Sequence, residues 1–181
     1  MAVKTFTSEI LTSADTNTYL ANSGLVYVTS ATVGTGVATV TVTGAFSATY
    51  DNYKIIYTGG TSTGGVVQMT LGAATTQYYS QLIYASYSGT TVLANVPDNN
   101  NSQWSFVGYG NTNFATVNVE LTCPFKTTRT TMTSNYISDT NAGTVQGLLN
   151  DATSHTSFKF TAAGGSTLTG GTITVYGYRK A

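Results

Sequence analysis

The chain has 181 residues, with seven basic and seven acidic side chains, so its formal net charge is zero and only 8% of it is charged. Ordinary soluble domains carry about 25% charged residues. The seven cations (Lys4, Lys54, Lys126, Arg129, Lys159, Arg179 and Lys180) are scattered, which argues against nucleic-acid binding and against a basic membrane-surface helix, both of which need clustered positive charge.

A chain of this length buries roughly 70% of its unfolded surface and needs no disulfide to hold a core. Cys123 is the single cysteine, so neither an intramolecular disulfide nor a cysteine-based zinc set can form within one chain. No run of 18 apolar residues is present, so no membrane-spanning helix is expected. The first twenty residues lack the apolar core of a secretory signal, and assembly in a cytoplasm is the expectation. Threonine fills about one position in five, beside 19 glycines and only two prolines. That palette favours strands and turns over helices.

Residues 1–24 read as a separate arm. Ser13 is placed to cap a short helix over residues 14–22, with Gly24 just beyond its end. A helix that short is marginal alone, so it must dock on something. Its spaced apolar residues, Phe6, Ile10, Leu11, Tyr19 and Leu20, are the expected docking contacts.

From residue 25 to 181 the pattern has a period of two. LVYVTSAT and VATVTVTG are separated by VGTG, which reads as a hairpin. In the second, Ala38, Val40 and Val42 share one face and Thr39, Thr41 and Thr43 the other. In DNYKIIYTGG, Tyr53, Ile55 and Tyr57 share one face, opposite Lys54, Ile56 and Thr58. Alternate aromatic and β-branched residues stabilise sheets through cross-strand pairs, so this tyrosine-rich stretch is framework. VVQMTLG and QLIYASY follow as strands. LANVPDNNNSQ, residues 93–103, reads as an exposed loop because of Pro97 and its asparagine run. Asn99, Asn100, Asn101 and Trp104 are its candidate surface contacts, although a large aromatic such as Trp104 more often serves as a core anchor in a sandwich. QWSFVGYG, FATVNVELT, TMTSNYIS, GTVQGLL, TSFKFTA and TITVYGYR complete the set. About ten or eleven short strands with regular turn spacing fit an all-β, antiparallel β-sandwich of jelly-roll type with a short N-terminal docking segment.

Residues for chemistry are few. His155 is the lone histidine, near Asp151 and Ser154, but neighbours in sequence do not make a catalytic triad. A glycosidase needs two carboxylates flanking one bond; Glu120 with Asp51, Asp98 or Asp139 is the only set to weigh. Asp98 and its asparagines offer oxygen ligands without calcium-loop spacing. Cys123 reads as a small buried hydrophobe. No catalytic residue, cofactor or metal is expected.

Three stretches resemble tailed-bacteriophage virion proteins of phages of aquatic bacteria and cyanobacteria. FTSEILTSADTNTYLANSG resembles the lead-in of tail-fibre-like proteins. AFSATYDNYKIIYTGG followed by LGAATTQYYSQLIY resembles a recurring phage β-domain, and GGTITVYGYRKA resembles its last strand. The resemblance implies a structural role: a homotrimeric short tail-fibre-like appendage docked through its arm on other virion proteins, with the sandwich turned toward a host-surface glycan. The same resemblance also accommodates a capsid decoration protein on the phage head.

Overall fold

The computed structural model describes residues 24–180, which form thirteen strands, all paired antiparallel. In chain order they are β1 (Leu25–Thr32), β2 (Thr39–Val42), β3 (Asn52–Ser62), β4 (Gly65–Leu71), β5 (Tyr78–Ser86), β6 (Val92–Asn101), β7 (Trp104–Gly110), β8 (Ala115–Thr122), β9 (Thr130–Ile137), β10 (Asn141–Leu149), β11 (Phe158–Ala162), β12 (Leu168–Thr169) and β13 (Thr172–Tyr178). A 3-10 turn at Ala163–Gly165 is the single helical element among the described residues. The all-β, antiparallel class expected from the alternation is therefore observed. These pairings do not establish jelly-roll connectivity. Phe6, Ile10, Leu11, Tyr19, Leu20 and the expected helix lie outside the described residues.

The sheet is forked. One run of eight strands has the order β1-β13-β3-β8-β9-β10-β5-β6. β8 gives one edge to β3, then divides the other: Ala115–Val117 pairs with β7, and Val119–Thr122 with β9. From β7 a second run continues as β7-β4-β11-β2. The buried Ser134 sits at the fork and donates to Val107 O at 2.6 Å and Asn118 O at 3.2 Å. It thereby uses carbonyls of β7 and β8 where the ladders part, and a buried carbonyl left unpaired is costly.

Side-chain alternation places the core between the two runs. Tyr53, Ile55 and Tyr57 of β3, Val117, Val119 and Leu121 of β8, and Ile173 and Val175 of β13 are buried. They meet Val67, Met69 and Leu71 of β4 and Phe158 and Phe160 of β11. Phe46 links the layers, with ring centroids 4.9 Å from Tyr53 and 5.9 Å from Phe158. Large aromatics bury ~150–250 Å² each, worth roughly 4–6 kcal/mol at ~25 cal/mol per Å².

The buried tyrosines also hold loops in place, because a buried hydroxyl needs a partner. Tyr53 Oη donates to Ser47 O at 2.9 Å and accepts from Ser47 N–H at 2.8 Å. Tyr57 Oη donates to Gly170 O at 2.9 Å. Tyr78 Oη accepts from Leu71 N–H at 2.8 Å. A Cβ on Gly60 would collide with the Tyr57 hydroxyl and come within 2.5 Å of Gly170 O, so only glycine permits that approach.

Three local expectations are corrected. β1 and β2 do not form a hairpin: β1 pairs with β13 and β2 with β11. Residues 93–103 are not a loop, since most of them lie in β6, which pairs with β5 through two register shifts. Pro97 is tolerated there because β6 is an edge strand and Pro cannot donate to a second ladder. Cys123 is half-buried rather than a core residue. It stands in a turn at φ 58°, where its N–H donates to Asp51 O at 2.7 Å.

Candidate functional site

The expected surface-contact residues separate once β6 forms. Trp104 is fully buried at the start of β7. Its ring stands edge-on to Tyr78, centroids 5.0 Å apart, and its Nε1–H donates to Tyr79 O at 3.2 Å. It is a core anchor and not a surface contact. Asn100 occupies a left-handed conformation at φ 60°, and its Oδ1 accepts from Gln77 N–H at 3.1 Å. Asn101 folds back, donating from Nδ2 to Pro97 O at 3.2 Å and to Asp98 Oδ1 at 2.8 Å. Asn99 to Asn101 are exposed, and of these three Asn99 lines a groove.

That groove has a volume of about 360 Å³ and runs across β6, β5 and β10, bordered by Tyr79, Gln81, Val96, Asn99, Gln146 and Leu148. Register explains the set: Tyr79 is opposite Asn99 on one side and Leu148 on the other, and Gln81 is opposite Gln146. The groove offers amide donors and acceptors, one phenol and apolar ground. Sequence analysis found Asn99 but missed Tyr79, Gln81 and Gln146. Their alternation marks them as one face of their strands, but only the register brings them together.

The floor of the groove includes Asp98, which is buried at 1% exposure. Among the described residues no cation pairs with its carboxylate, which is held by neutral donors. Oδ2 accepts from Ser80 Oγ at 2.5 Å and Ser105 N–H at 2.9 Å, and Oδ1 accepts from Ser105 Oγ at 2.6 Å and Asn101 Nδ2. A buried charge is tolerated only when hydrogen-bonded in this way. The arrangement ties β5, β6 and β7 at one point.

The other carboxylates weighed for catalysis stand in separate networks. Glu120 on β8 accepts from Tyr178 Oη at 2.8 Å and pairs with Lys54 at 3.1 Å. The phenol first and the ammonium second hold its carboxyl below the usual range. Asp51 bridges Lys180 at 2.7 Å and Lys126 at 2.9 Å, and both lower its pKa. Asp139 accepts from Tyr109 Oη at 3.1 Å and from Asn111 Nδ2. Among the described residues, none of these carboxylates shares a hydrogen-bond partner with another.

His155 is buried in the segment before β11, and burial pushes its imidazole below its ordinary pKa. Its Nε2 has no hydrogen-bond partner. Ser154 Oγ donates to Phe125 O, and Asp151 Oδ1 accepts from Thr153 Oγ1 at 2.6 Å. The three line one pocket and Asp151 opposes the burial effect on the imidazole, but the hydrogen bonds of Ser154 and Asp151 go to residues other than His155. Among the described residues, no group of three or more His, Cys, Asp or Glu is placed to hold a metal ion.

No protein-family model, curated protein or solved structure matches this chain.

Proposed function

We propose that this chain is a structural component of a tailed-phage particle, a short tail-fibre-like appendage whose N-terminal arm docks on other virion proteins. The sandwich presents the β6-β5-β10 groove toward an uncharged, hydroxyl-rich host-surface glycan. The resemblance of three sequence stretches supplies the particle. The groove supplies the contact: its amide groups and the Tyr79 ring suit neutral hydroxyls and sugar faces, and its one carboxylate is already occupied by serines. That groove is the observation that carries the reading.

The test is gold-labelled antibody against this chain, applied to intact particles of a phage encoding it and viewed by electron microscopy. Label confined to the tail is the expected result. Label spread over the head would assign a decoration role instead, and no label at either place would overturn the virion reading. Deleting residues 1–22 is expected to abolish incorporation, and normal incorporation would remove the docking role of Phe6, Ile10, Leu11, Tyr19 and Leu20.

A further inference from the structure

The exposed large apolar residues are not scattered. Among the described residues, seven of the eight lie on or next to the end strands of the eight-stranded run, and the eighth, Ile137, closes β9 inside it. At one end are Leu25 and Tyr27 of β1, 41% and 59% exposed. At the other are Val92, Leu93 and Val96 of β6, with Ile83 on the adjacent β5 and Tyr87 in the β5–β6 connection. Among the described residues, β1 pairs only with β13 and β6 only with β5, so each leaves one ladder edge open. The segment Val92–Val96 is exposed at every position, so both of its faces meet solvent as well as its edge.

Natural sheets guard such edges with lysines or other charges because an open ladder templates pairing with another chain. Here the distribution is reversed. β1 has no charged residue, and the one charge of β6, Asp98, is buried among serines. The charged pair Lys54–Glu120 lies instead on the central strands β3 and β8. Two uncharged, β-branched and aromatic edges meet without like-charge repulsion, and backbone pairing of β1 with Val92–Val96, the part of β6 ahead of Pro97, would satisfy the open groups of both segments.

We propose that the open edge of β6 in one copy of this chain pairs with the open edge of β1 in a second copy. A contact between two different surfaces is heterologous, and when its rotation closes it generates a ring in which every copy has both edges covered. Pairing of β6 with β6 alone would leave β1 uncovered, which is why the head-to-tail contact accounts for both apolar ends. This inference stands on the edges and does not require the virion reading.

The experiment uses the full chain with two single-edge variants, Val92→Lys and Tyr27→Lys, followed by sedimentation velocity across a dilution series. Wild type is expected to sediment as an assembly larger than the 18.9 kDa chain. Each variant alone is expected to be monomeric. Mixed, the two variants are expected to form a one-to-one dimer of about 38 kDa, twice 18.9 kDa, because one supplies an intact β1 edge and the other an intact β6 edge. That complementation also shows both variants to be folded. Where far-UV circular dichroism shows that either variant has lost its strands, Val96→Lys or Leu25→Lys takes its place. A monomeric wild type, a single-edge variant that still assembles, or a mixture that stays monomeric would each overturn the proposal. A failure here leaves the particle-labelling result untouched.

Discussion

Replacing Tyr78 by Phe removes one oxygen, and its consequences can be worked out at two pH values. The Tyr78 ring is fully buried between β4 and β7, and its hydroxyl accepts from Leu71 N–H. Phe fills the same space but leaves that backbone donor buried without a partner, a loss of about 1–3 kcal/mol. Near neutral pH the variant should be less stable by that amount. The alkaline range behaves oppositely. Burial pushes the Tyr78 phenol up to about 12 from an ordinary value of 10, against a smaller opposing effect of the Leu71 hydrogen bond. The folded pKa is the higher one, so this group's contribution is fully present below pH 10. It is lost as pH rises toward 12, because the unfolded chain ionises first. By linkage the wild type should lose about 1 kcal/mol from this group by pH 11 and roughly 2 kcal/mol by pH 12, where the folded phenol itself begins to ionise. Phe has no proton to lose, so the gap between the two proteins should narrow steadily above pH 10. Urea denaturation of both proteins at half-unit steps from pH 7 to 11 reads this directly, with the other tyrosines cancelling in the difference. Parallel stability profiles across that range, or a variant as stable as wild type at pH 7, would refute the reasoning.

Gly60→Ala should cost about 2 kcal/mol, a typical overpacking penalty, because the new methyl meets the Tyr57 hydroxyl and Gly170 O. A calorimetric fall in Tm of about 4–8 °C is expected at ~2–4 °C per kcal/mol. Gly89→Ala, whose new methyl would have Ser86 Cβ as its nearest neighbour at 3.9 Å, should stay within about 0.5 kcal/mol. Asp98→Asn keeps the shape but turns one acceptor into a donor facing the serines and the Ser105 N–H. It should destabilise by roughly 2–3 kcal/mol in urea, and an unchanged midpoint would show that the carboxylate is not holding β5, β6 and β7 together. Glu120→Gln removes an exposed pair with Lys54 and should cost less than about 1 kcal/mol, with the difference from wild type shrinking as added salt screens the charges.

Alternation in the sequence was enough to assign faces. Tyr53, Ile55 and Tyr57, and likewise Val117, Val119 and Leu121, point inward as their spacing requires. The physical reason is local: successive residues of any strand face opposite ways, and an apolar set must go to the side away from water. The framework role of the tyrosine-rich stretch was legible on the same ground. Partner choice was not, because period two says which way a side chain points and nothing about which strand lies beside it. VGTG looks like a hairpin turn, yet β1 finds β13 and β2 finds β11 from the far end of the chain. The asparagine run looks like a loop, yet pairing with β5 draws it into β6, and Trp104 then falls into the core. The groove of Tyr79, Gln81, Asn99 and Gln146 exists only because β5 aligns with β6 and β10 in one register. The two uncharged edges could be read from the residues themselves. That they are the two ends of one sheet was decided by tertiary structure, since contacts between distant segments select strand order.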